Sequence, residues 1–139
     1  MYVYKVLVNC LPRSNQLKLV SLINQSSEKF IDTHMLNAYD YGIICQANAS
    51  YVGVILVREQ DNDSHVDHFC VLPSQRRKGY GQALFQSFVT EMKSNSTASI
   101  QTREAMPEWK IDLFDRWGWE KTKETDSGHC VYTLLQGKH

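Results

Sequence analysis

From Tyr2 to Asn9 bulky residues alternate with small or polar ones, a period of two that predicts a strand, and Leu11-Pro12 ends it. Between Pro12 and Asn24 the period changes. Leu17, Val20, Leu22 and Ile23 recur at helical spacing, and Ser26-Ser27 would cap a second short helix carrying Phe30, Ile31 and Met35. Two β-branched runs, 42–47 and 51–58, flank Asn48-Ala49-Ser50 and read as a hairpin with a short turn. The polar stretch 59–64 turns the chain into a third run, 65–72. Beyond Pro73, Tyr80, Ala83, Leu84, Phe88 and Met92, with Phe85 and Val89 beside them, form a wide apolar stripe at period 3.6 from Gly79 to Lys93. A strand over 98–102 follows. Next comes a helix opened near Pro107, carrying Trp109, Leu113, Phe114 and Trp117 and stopped by Gly118. Runs 119–123 and 129–135 close the series as two strands around Asp126-Ser127-Gly128. Strands mixed with helices in this order predict an α/β or α+β domain with one mixed sheet.

Composition narrows what such a domain does. A length of 139 residues, against about 150 per domain, predicts one domain over 1–139. Fifteen basic and fifteen acidic residues give a net charge of +0, so no overall field draws nucleic acid or an anionic membrane, and any polyanion site is local. Hydrophobic residues make up 42%, too many for a disordered chain. Cys10, Cys45, Cys70 and Cys130 contain no C-x-x-C pair, which fits reduced packed thiols better than a zinc site or a disulfide framework. Asp61 and Asp63 lack the Gly and closing Glu of a calcium loop, so no metal is expected. The first residues lack the apolar core of a signal peptide and no run approaches ~18 apolar residues, so the expected setting is the cytoplasm without membrane insertion.

The segment Val71-Leu-Pro-Ser-Gln-Arg-Arg-Lys-Gly-Tyr-Gly-Gln-Ala-Leu84 carries the chemistry: a strand ends, a basic turn with two glycines follows, and the best helix begins. Gly79 and Gly81 let the backbone approach a ligand, so successive N–H groups can converge on phosphate oxygens. The helix start adds unpaired N–H donors and about half a positive charge, and Arg76, Arg77 and Lys78 add cations. A diphosphate suits this arrangement. The P-loop spacing G-x-x-x-x-G-K-[ST] is missing, and the third Gly of a dinucleotide fingerprint would fall on Leu84.

Pro73-x-x-Arg76-x-x-Gly79-x-Gly81 resembles the P-x-x-[QR]-x-x-G-x-[GA] signature of the GNAT N-acetyltransferase superfamily, and Leu113-Phe-Asp-Arg-Trp-Gly-Trp-Glu120 is similar to that family's F-Y-E-K-L-G-F-E segment. The resemblance implies a mixed, mostly antiparallel sheet of six to seven strands flanked by about four helices, splayed between strands 4 and 5 around acyl-coenzyme A. It puts the diphosphate on the amides of Arg77 to Gln82, Tyr80 included, and the pantetheine arm along Phe69, Cys70 and Val71. The cosubstrate it implies is acetyl-CoA, the partner an amine acceptor on a small molecule or protein. The same likeness leaves room for a homodimer.

An amine must lose its proton before it attacks a thioester, so a base is needed nearby. The resemblance, registered on Pro73, implies Asp67 as that base, with His68 beside it and His65 two residues before; strand alternation sends Asp67 and His68 to opposite faces. The position where many relatives carry a Tyr acid holds Phe114, which has no proton to give. Asp32, His34, Tyr39 and Asp40 are candidates for the acceptor pocket. Three readings follow: a direct acetyl transfer enzyme, a non-catalytic acyl-CoA sensor, and a nucleic-acid module built on the basic run. Net neutrality and the lack of an aromatic RNA motif weigh against the third.

Overall fold

The computed structural model describes residues 1–26, 30–60, 63–92, 97–102, 113–124 and 130–135. Its strands are β1 (Tyr2–Val6), β2 (Tyr41–Ala47), β3 (Ser50–Gln60), β4 (Asp63–Val71), β5 (Thr97–Thr102), β6 (Glu120–Glu124) and β7 (Cys130–Leu135). Two longer helices are α1 (Arg13–Ser26) and α2 (Tyr80–Glu91), with 3₁₀ turns at Val8–Cys10, Thr33–Ala38 and Pro73–Gln75. The seven strands form one sheet in the order β1-β2-β3-β4-β5-β7-β6. β4 and β5 are its parallel pair, matched from Asp63 with Thr97 to Val66 with Ile100. Among the described residues no helix is long and apolar enough to cross a membrane.

Contacts gather into two compact units, Met1–Arg58 with Asp67–Glu91 and Glu59–Val66 with Met92–His139. In the first, the two sheet faces are both covered, which is why β2 and most of β3 are buried without alternation. One face carries Ile44, Val54, Leu56 and Cys70, packed with Leu19, Leu22 and Ile23 of α1 and with Ile31 and Leu36. α2 packs along β1 and β2, and its Leu84 comes so close to β3 that a Cβ on Gly53 would lie 2.8 Å from Leu84 Cδ1. The same Cβ would lie 3.1 Å from the backbone oxygen of Cys70, so a larger residue there would force its neighbours to shift. The β2–β3 hairpin turns through Asn48 (φ 52°) and Ala49 (φ 65°), the paired positive φ of a tight two-residue turn.

The second unit is built differently. Thr97 and Ser99 donate their hydroxyls to the two oxygens of Asp63 at 2.7 Å each, and His65 Nδ1 lies 3.0 Å from Ser99 Oγ, so side chains lace the parallel pair on one face. Both oxygens of Asp63 are therefore engaged by hydroxyls of β5. Helical residues 113–116 lead into Trp119, and Phe114 packs against Trp117, Trp119 and Tyr132 at centroid distances of 6.3, 5.6 and 5.5 Å.

Three apolar residues expected inside are exposed. α1 buries Leu19, Leu22 and Ile23, the i, i+3, i+4 set, and Leu17 falls two residues before that stripe and so points outward. The short second helix is a 3₁₀ turn over Thr33–Ala38 that buries Leu36, leaving Met35 exposed one residue off that face, and Phe30 lies in the extended approach to it. β1 stops at Val6 because Val8 turns inward in a 3₁₀ turn. The part of the expected Pro107 helix before residue 113, Trp109 included, lies outside the described residues.

Candidate functional site

Burial alternates along β4: Ser64, Val66, His68 and Cys70 are inside, while Asp63, His65, Asp67, Phe69 and Val71 are half-buried. Asp67 and His68 thus separate as alternation requires. Asp67 accepts two bonds from Arg58 of β3, Nη2 to Oδ1 at 3.1 Å and Nε to Oδ2 at 3.0 Å, a two-point fork that fixes the carboxylate plane. The hydroxyl of Tyr39 donates to the same carboxylate; burial, first, and the Asp67 charge, second, push the Tyr39 pKa far above the usual phenol range. His68 is 5% exposed, with its ring edge-on to Tyr39 at 6.2 Å. One carboxylate, one guanidinium and one phenol therefore meet where β3, β4 and the segment after the second 3₁₀ turn converge.

Arg58 was not legible as a candidate by itself. It becomes one when the β3–β4 hairpin is folded about its polar turn, which sets opposite charges across the two strands. Of the acceptor candidates, Tyr39 reaches Asp67. Asp32 is committed as an N-cap, its Oδ1 accepting from Met35 N at 3.1 Å, while His34 and Asp40 are exposed. Cys70 is buried in the core cluster, with the packing role expected for a strand thiol.

At its far end β4 enters the 3₁₀ turn Pro73–Gln75 and then the basic turn. Arg76 Nε donates to Val71 O at 3.2 Å and Lys78 Nζ to Gln75 Oε1 at 3.1 Å, so two of the three cations brace the turn itself. Arg77 is exposed and engages no partner among the described residues. Its φ of 66° is left-handed, as is that of Gly79 at 84°. For Gly79 the conformation is free of side-chain cost, but for Arg77 it is strained by about 1–2 kcal/mol. Nothing in the sequence marked Arg77 for it. α2 then starts, and its first bond to the turn is Ala83 N to Gly79 O at 3.1 Å. The N–H groups of Tyr80, Gly81 and Gln82 precede that bond and are the orphan donors of a helix start, backed by the helix dipole. The turn thus gathers these donors mostly from backbone.

A profile of the acetyltransferase (GNAT) domain family matches residues 11–131. Among solved structures, the Escherichia coli ribosomal-protein-S18-alanine N-acetyltransferase superposes with a TM-score of 0.78 at 13% identity, covering 97% of this chain and 94% of that one. The PaiA N-acetyltransferase of Thermoplasma acidophilum, solved with coenzyme A, gives 0.75 at 13% identity over 97% and 99%. Arabidopsis thaliana Naa50, bound to a coenzyme A–peptide bisubstrate analogue, gives 0.74 at 15% identity over 96% and 98%. No curated protein sequence matches the chain.

Proposed function

The chain belongs to the acetyltransferase (GNAT) domain family, and on that footing we propose that it transfers an acetyl group from acetyl-coenzyme A directly to a primary amine of a small molecule or protein, in a ternary complex. The observation that carries the reading is the turn between β4 and α2, where left-handed Arg77 and Gly79 lead into three N–H groups that the helix does not use. Diphosphate oxygens would lie on the amides of Arg77 to Gln82, with the Arg77 guanidinium free to join them. A Cβ at Gly79 would meet nothing within 4 Å, so the cradle is open on that side. The pantetheine arm would run along Phe69, Cys70 and Val71.

Acetyl-coenzyme A supplies an activated thioester. The chain's own task is to deliver a neutral amine, and at pH 7 a lysine-like amine holds its proton by about 4.6 kcal/mol. In this reading Asp67 draws the ammonium in and accepts its proton. Tyr39 and Arg58 hold the carboxylate in one orientation, and Arg58, whose side chain is 47% exposed against 18% for Asp67, is the partner able to give way. His68, inside and against Tyr39, supports that phenol. Backbone N–H groups near Phe69 and Cys70 would hold the developing oxyanion, a role that needs no side chain.

Thiol release from acetyl-coenzyme A with a panel of polyamines, amino acids and peptide N-termini tests the reading. The wild type should turn over at least one amine, and Asp67→Asn should lose about 10²-fold or more in kcat with coenzyme affinity intact. A protein that binds acetyl-coenzyme A and acetylates nothing in the panel would instead fit the sensor reading, which the packed, hydroxyl-free Phe114 favours.

A further inference from the structure

Away from the basic turn, α1 and the hairpin end of β1–β3 line a half-open cavity of about 430 Å³, a size that suits a small organic ligand. Of its lining residues only Lys18 carries a charge. The rest of its polarity follows a directed chain of hydrogen bonds. Asn15 Nδ2 donates to Tyr51 Oη at 2.8 Å, and Tyr4 Oη donates to Gln46 Oε1 at 2.8 Å. Tyr51 stands beside Tyr4, and because the Tyr4 proton is on Gln46, the Tyr4 oxygen is left to accept. Burial and the neighbouring Tyr51 push the Tyr4 pKa up, so the chain keeps its protons and its direction at neutral pH.

That direction decides what is left over. Gln46 is the last acceptor, so both hydrogens of its carboxamide remain, with no partner among the described residues. The Asn15 oxygen is taken by Ser14 at 3.3 Å. Ser21 Oγ accepts from Gln25 at 2.9 Å, which leaves its O–H to donate. With the Lys18 ammonium, the unused groups are chiefly donors, and they ask for a ligand that only accepts. A carboxylate is that group. A phosphate dianion would call for more than one cation, and the cavity lining carries one, Lys18.

We propose that this cavity binds a small organic carboxylate, its oxygens on Lys18 and Gln46 and its body against the rings of Tyr4 and Tyr51. The lining leaves out residues 75–82 and meets the end of β4 only at Leu72, beside Val71, and the proposal does not rest on the acetyl-transfer reading. NMR titration with benzoate, succinate and L-glutamate tests it, with benzamide as the neutral counterpart of benzoate. At least one carboxylate should saturate with shifts at Gln46 and Tyr51, Lys18→Gln should weaken it by about tenfold or more, and benzamide should not bind. Coenzyme affinity should be the same in Lys18→Gln. Absence of saturation by all three, equal binding by Lys18→Gln, or benzamide binding as tightly as benzoate would each overturn the proposal.

Discussion

The basic turn of the first unit and the aromatic cluster of the second use their residues in opposite ways. Around Phe114 everything goes into contact: Trp117 and Trp119 stack on it, Tyr132 meets it edge-on, and it is 7% exposed. In the turn, Arg77 is held in a left-handed conformation, three cations stand at the surface, and the first N–H groups of α2 are left unbonded by the helix. One region stabilises by burying apolar area. The other accepts strain and keeps polar groups in reserve, which is how a backbone is made ready for an anion. Phe114, the residue the sequence resemblance sets opposite a family Tyr, falls in the region built for packing, where an aromatic ring without a hydroxyl fits.

The contrast sets the size of each expected effect. Phe114→Ala should be the most destabilising, by about 3–5 kcal/mol, read as a lowered denaturant midpoint; a loss below about 1 kcal/mol would mean that the cluster does not pack as a buried core. Tyr39 combines both habits, a packed ring whose hydroxyl holds Asp67. Its raised pKa means the folded protein binds that proton more tightly than the unfolded chain, so Tyr39 contributes stability that is full below about pH 10 and is lost as pH rises above it. Unfolding titrations at pH 9 and above should show a shallower alkaline decline in Tyr39→Phe than in the wild type, and identical slopes would remove the Tyr39–Asp67 bond from the account. A smaller effect on stability should come from Arg77→Gly, a gain of roughly 0.5–1 kcal/mol as the left-handed strain is relieved, accompanied by weaker coenzyme binding. Stability and affinity moving in the same direction there would break the comparison.

Much of this was legible from periodicity. All seven expected strands are present, because both the alternating runs and the continuous apolar run of β3 carry the signal of a half- or fully covered sheet. The turn at Asn48-Ala49 and the start of α2 follow from glycine, asparagine and the apolar stripe. What escaped was of two kinds. Leu17, Phe30 and Met35 are apolar yet exposed, since composition alone does not say which residue of a crowded stripe faces inward. The Arg58 fork on Asp67 and the Tyr39 hydroxyl are long-range pairings, set by hairpin register and by the chain's return after the second 3₁₀ turn, and no local pattern encodes them. The start of α2 after a basic, glycine-containing turn could be placed from the sequence, while the carboxylate's partners could not.

Calorimetric titration of acetyl-coenzyme A into the wild type and Gly81→Val tests most directly that the amides at the start of α2 hold the diphosphate. The account predicts one binding site in the wild type and none measurable in the variant, whose unfolding midpoint stays near the wild-type value because valine costs a helix no more than glycine does. Equal affinity in the two proteins, or no heat from the wild type at saturating acetyl-coenzyme A, would contradict it.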